Sequence, residues 1–123
     1  MRKKGGKLAP KGRSKSNEKD VQPIGAQLFE AVAEAFRKTE PRAERVKLFG
    51  FDCLRIAGKV FAKVTKGRLV VKLPAARIAA LMRAGQLEPY EGARGEMKEW
   101  AVVTADERIA IALSEEARAF VSG

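Results

Sequence analysis

The sequence predicts an α+β domain of two layers, an antiparallel β-sheet of about five strands with helices packed on it. Three observations lead there. Four short segments of period two lie between residues 45 and 73 with glycine-bearing turns between them, helical stripes flank that block, and another alternating run at 98–103 precedes a last helical stretch.

The first helix follows Pro23, with Leu28, Val32, Ala35 and Phe36 on one stripe, Glu34 and Lys38 as an i,i+4 pair, and Pro41 as the stop. In so small a domain that stripe is expected to serve the core. RVKLF (45–49), FDCLRI (51–56), KVFAKV (59–64) and RLVVKL (68–73) then form a meander, broken at Gly50, Ala57-Gly58 and Thr65-Lys66-Gly67. PAARIAALMRA makes a short helix opened by Pro74, with Ile78, Leu81 and Met82 on its inner side and Gly85 past its end. EPYEGARGEMKEW is expected to be a compact turn leading into the fifth strand, KEWAVV (98–103). Thr104 and Glu107 fit a capping box for the last helix, whose stripe is Ile109, Leu113, Ala117, Phe120 and Val121.

Alternation assigns the sheet faces. Val46, Leu48, Leu54, Ile56, Val60, Ala62, Val64, Leu69, Val71 and Leu73 form an aliphatic wall for the helices. The other face carries Arg45, Lys47, Phe49, Phe51, Cys53, Arg55, Lys59, Phe61, Lys63, Arg68, Val70 and Lys72, so phenylalanines alternate with cations. Such a face is suited to stacking bases and tracking phosphates. The plainer reading is a helix over Phe49 and Phe51 with Lys and Arg stems reaching past it.

The length of 123 residues suits one folded unit, 23–123, preceded by a basic tail, 1–22. That tail has eight cations against Glu18 and Asp20 and few large apolar residues, and is expected to be disordered. It is either a nucleic-acid-binding arm or a solubilising or appended segment. Of the net charge of +10, the tail carries +6 and the remainder +4. A surplus of this size attracts polyanions.

One cysteine and no histidine exclude a disulfide framework, ordinary zinc sites and histidine-dependent catalysis. No run approaches the ~20 apolar residues of a membrane span, and the N-terminus lacks the apolar core of a secretory signal, so a cytoplasmic location without a membrane partner is expected. GARGEMKEW fails as a phosphate cradle, because it runs from a helix into a strand rather than from a strand into a helix. Arg94 remains an anion-contact candidate, with local carbonyl bonding as its plainer role. The pairs Glu96/Glu99, Asp106/Glu107 and Glu115/Glu116 do not converge by sequence, and Cys53 has no base to activate it, so no catalytic residue, metal or cofactor is assigned. The hairpin 59–73 stands out instead as a charged wing. With Arg94, its Lys59, Lys63, Lys66, Arg68 and Lys72 are the candidate nucleic-acid-binding residues, although edge strands also carry lysine to prevent aggregation.

Phe49-Gly50, the run Gly58 to Ala62, Leu69 to Pro74, Arg77, Gly85 and the run Gly95 to Trp100 together resemble the N-terminal domain of TfoX-type proteins, related to the MmcQ/YjbR-like group. The resemblance extends from about Phe29 to Phe120. It implies helices on an antiparallel sheet and no established catalytic activity. Some relatives regulate competence for DNA uptake together with the transcription machinery, and the MmcQ/YjbR-like fold has been compared with double-wing DNA-binding domains. The full-length regulators carry a second, C-terminal module, which this chain is expected to lack. The expectation is therefore a small, non-enzymatic bacterial protein that binds nucleic acid, DNA foremost, or serves transcription. Its alternative is a protein-interaction or homodimerisation module using the sheet face of Phe49 and Phe61.

Overall fold

The computed structural model describes residues 24–123, so the tail expected over 1–22 lies outside the described residues. Nine elements follow in order: α1 (Ile24–Thr39), β1 (Glu44–Leu48), β2 (Phe51–Ile56), β3 (Lys59–Thr65), β4 (Arg68–Lys72), α2 (Ala75–Arg83), β5 (Leu87–Gly92), β6 (Gly95–Val103) and α3 (Glu107–Ser122). All six strands join one antiparallel sheet in the order β1-β2-β3-β4-β6-β5. The two-layer α+β expectation is met, with one strand more than the sequence suggested.

Three of the hairpins turn on two residues with positive φ: Phe49-Gly50 (52° and 82°), Ala57-Gly58 (51° and 80°) and Lys66-Gly67 (54° and 74°). These angles match the twist of the flanking strands, and glycine second in each turn limits the steric cost. Helix α2 ends as its sequence implied. The N–H of Gly85 donates to the Met82 carbonyl and that of Gln86 to the Leu81 carbonyl, with Gly85 at φ 78°, which together satisfy the last carbonyls of the helix.

All three helices bury their stripes in one core. Leu28, Phe29, Val32 and Phe36 of α1, Ile78 and Leu81 of α2, and Ala110, Leu113 and Ala117 of α3 meet Leu54, Ile56, Ala62, Leu69, Val71, Ala101 and Val103 of the sheet. Helix α1 is pinned at its start, where the Gly25 N–H donates to the Gly67 carbonyl at 3.0 Å. A Cβ on Gly25 would lie only 2.3 Å from that oxygen and from Arg68 Cα, so the close approach of helix and turn requires glycine there.

Four expectations are corrected. The wall of alternating residues fails in β1, because the two-residue turn pairs Leu48 with Phe51 and Val46 with Cys53, which puts those residues on one face. Arg45 and Lys47 consequently take the helix side, and Arg45 bonds Glu30 of α1 at 2.6 Å while lying over the Phe29 ring. A bulge is the second cause. Leu54 pairs with Ala62 but Arg55 with Val60, so Phe61 is the extra residue of β3. Phe61 and Ala62 both enter the core, Val60 shifts to the opposite face, and Lys59, paired with Ile56, falls on the helix side.

The third correction concerns EPYEGARGEMKEW, which is not a turn leading into a strand. It forms most of the hairpin β5–β6, turning at Ala93-Arg94 between the paired Gly92 and Gly95. The fourth concerns α3. Asp106 caps it, accepting from the Ile109 N–H at 3.0 Å, while the Thr104 hydroxyl donates to the Gly85 carbonyl. Thr104 thus ties β6 to the end of α2 instead of capping a helix.

Candidate nucleic-acid interface

Among the described residues the helices pack on one face of the sheet and no helix packs on the other. Cys53, Val70 and Val102 are buried on that second face, outside the main core. Register places them in one row with Lys63, since Cys53 pairs with Lys63, Lys63 with Val70, and Val70 with Val102. Next to that row lie Lys72 and Trp100, paired across β4 and β6.

Aromatic rings and cations meet on this face. Lys63 Nζ lies 4.6 Å from the centre of the Trp100 ring and 5.0 Å from that of Tyr90, and Lys72 Nζ lies 5.7 Å from Trp100. Each contact is worth about 0.5–2 kcal/mol depending on how far water is excluded. They hold two lysines and two half-buried rings as one cluster.

A groove of about 590 Å³ crosses the same face. Phe51 lines it from β2, Val70 and Val102 from β4 and β6, Pro89 and Tyr90 from β5, with Lys66, Arg68 and Glu91 among its polar groups. A second cleft of about 330 Å³, beside α1, is lined by Glu30, Glu34, Arg37 and Arg45, whose charges already pair with one another. The groove on the other face holds Lys66, which has no carboxylate partner among the described residues, and Arg68, which pairs with the exposed Glu88.

The six cations singled out by sequence do not share one face. Lys63, Arg68 and Lys72 do; Lys66 sits in the β3–β4 turn beside them, Arg94 tips the β5–β6 hairpin, and Lys59 stands at the far end of β3. Arg68 pairs with Glu88 at 2.5 Å. The other five make no ion pair among the described residues. By contrast Arg37, Arg42, Arg45, Arg55, Arg77 and Arg118 are all matched to glutamates.

Tyr90 and Trp100 belong to the site, and sequence reasoning left them out. Trp100 was readable only as a packing anchor, and Tyr90 fell in the supposed turn. The available signal was the pair Gly92 and Gly95 around Ala93-Arg94, which marks a hairpin and would have aligned the two rings with the cationic strands.

Phe61 leaves the candidate interface. It is 0% exposed and lies 5.3 Å from Phe36, centre to centre, so the partner surface expected from Phe49 and Phe61 does not exist as a pair. Phe49, in contrast, is 95% exposed at a positive φ. Phe51 is 39% exposed, and neither of these two rings contacts another ring or a cation among the described residues.

Cys53 is 3% exposed, and its thiol donates to the Phe51 carbonyl at 3.5 Å. Burial pushes its pKa up, against a smaller downward pull from the Leu48 backbone and Lys63, which disfavours the nucleophilic thiolate. Among the described residues no three His, Cys, Asp or Glu side chains gather into a metal-binding group, and no helix is long and apolar enough to cross a membrane. No family model, curated protein or solved structure matches the chain.

Proposed function

We propose that this is a non-enzymatic, cytoplasmic nucleic-acid-binding protein of the TfoX N-terminal type, DNA its foremost ligand, which binds through the helix-free face of its sheet. The observation that carries this reading is the cluster of lysines and aromatic rings on one face. Lys63 and Lys72 make no ion pair among the described residues and lie against the rings of Tyr90 and Trp100, with Lys66, likewise unpaired, in the turn beside them, whereas six arginines, Arg37, Arg42, Arg45, Arg55, Arg77 and Arg118, are matched to glutamates. Phosphates can be tracked by such cations, and bases have ring faces to meet. Residues 1–22, with their surplus of +6, would add a sequence-independent attraction.

Fluorescence anisotropy with labelled DNA and RNA tests the reading. Affinity should fall steeply between about 50 and about 200 mM salt, because each phosphate contact releases counterions. Lys66→Gln and Arg94→Gln should each flatten the slope of log K against log salt by roughly 0.7–0.9. Deleting residues 1–22 should flatten it further while leaving measurable binding. A domain without its tail that binds nothing even at low salt removes the folded face from the interface.

One observation favours a second reading. A phenylalanine fully exposed at positive φ does nothing for the fold, and with the neighbouring Phe51 and Leu48 it forms an apolar tip at the β1 edge. A protein partner or a second copy of the chain would explain it. Sedimentation of Phe49→Ser against the parent chain separates the readings, since a salt-insensitive dimer lost in the variant belongs to this second one.

A further inference from the structure

We propose that the groove between Phe51 and Tyr90 takes an unpaired nucleobase, so that the helix-free face selects single nucleic-acid strands over duplex. This rests on the nucleic-acid reading and adds to it the form of the ligand.

The lining of the groove divides by chemistry. Val70 and Val102 lie buried beneath it, and rings line it from β2, second from one edge of the sheet (Phe51), and from β5 at the other edge (Tyr90). The accessible apolar surface is on Phe51, Pro89 and Tyr90, which offers nothing to a phosphate and much to the flat apolar face of a base. At about 590 Å³ the groove falls within the ~300–1,000 Å³ typical of ligand sites, roomy enough for a base and its sugar.

The charges set the orientation. Lys66, unpaired, and Arg68, held only by an exposed glutamate, lie at one end, and Glu91 lines the groove on the β5 side. Phosphates are drawn to the first end and repelled from the second. An exposed ion pair such as Arg68–Glu88 yields readily to a phosphate, which accepts two parallel bonds from the guanidinium.

The start of α1 lies at the same end, where the Gly25 N–H donates to the Gly67 carbonyl in the turn that carries Lys66. Duplex DNA, whose bases are stacked inside, presents phosphates to the same cations but no ring face to Phe51.

The test uses the full chain, with Trp100, the only tryptophan, as an internal reporter next to the groove. Labelled oligodeoxythymidylate and oligouridylate of roughly 12 nucleotides, and a duplex of equal length, are titrated at about 100 mM salt while anisotropy and Trp100 emission are followed. The single strands should bind at least about tenfold more tightly than the duplex and alter Trp100 emission. Loss of one stacked base corresponds to roughly five- to 150-fold in affinity, so Phe51→Ala and Phe51→Leu should each weaken strand binding by about tenfold and leave duplex binding unchanged. Phe51→Leu retains the apolar bulk without a ring, so its loss of affinity reports on stacking alone. Equal binding of strand and duplex, or unchanged strand binding by both variants, overturns the groove proposal and leaves the phosphate-binding reading standing. Failure of every nucleic acid to bind overturns both.

Discussion

Replacing Phe61 with alanine separates the architecture described here from the one in which Phe61 faces a partner. Its ring is fully buried, packed at 5.3 Å and 56° against Phe36 in the centre of the core between α1 and the sheet. Truncating a buried phenylalanine costs about 3–5 kcal/mol, the transfer of the ring plus the cavity left behind. A domain of this size has only about 5–15 kcal/mol in total, so the variant should sit near the edge of folding. At roughly 4–8 °C per kcal/mol, the midpoint of thermal unfolding should fall by at least about 12 °C.

Urea unfolding followed by Trp100 fluorescence measures the effect, with the parent chain and Phe36→Leu alongside. The tilted ring pair predicts a coupling of about 0.5–1.5 kcal/mol in a double-mutant cycle of Phe36→Leu and Phe61→Leu. A surface phenylalanine would behave otherwise, since substitutions there usually change stability by less than about 0.5 kcal/mol. A loss below about 1 kcal/mol for Phe61→Ala would refute the bulge that turns this residue inward.

The remaining predictions concern the turns and the titrating groups. Gly25→Ala should destabilise the domain by about 1–3 kcal/mol or more, because the new Cβ meets backbone atoms of Gly67 and Arg68 that no rotamer change can move; an unchanged urea midpoint would contradict the close approach of α1 to that turn. Phe49→Asn should raise stability by roughly 0.5–1 kcal/mol, since Asn-Gly suits two successive positive φ angles better than Phe-Gly, and a lowered midpoint would show that the exposed ring supports the fold after all. Arg45 bonding lowers the pKa of Glu30 from 4.5, and guanidinium bonding likewise lowers those of Glu34 and Glu40. These carboxylates contribute stability that is present above 4.5 and lost as pH falls through their folded-state values, whereas the raised Cys53 thiol contributes below its unfolded pKa and loses that contribution as pH rises toward the folded one. Urea midpoints across pH should therefore fall at both ends, with Glu30→Gln shrinking the acid arm and Cys53→Ala the alkaline one.

Sequence alone determined the elements that depend on near neighbours. The i, i+3, i+4 stripes set all three helices, the X-Gly pairs set three hairpins, and Pro74 and Gly85 bracket α2, because helix and turn preferences act over a few residues. It also singled out the hairpin cations through their density. The strand β5 escaped notice because Pro89 and Gly92 weaken its strand character, and its pairing with β6 is interrupted after Pro89. Which face each residue takes was decided by tertiary structure. One bulged residue at Phe61 and one two-residue turn at Phe49-Gly50 each reverse the inward and outward alternation, and period-two reading carries no signal of such a slip. The candidate site depends on the same decision. Lys63 lies 27 residues from Tyr90 and 37 from Trp100 in sequence, and only the neighbouring of β4 with β6 and β6 with β5 brings these side chains together over the uncovered face.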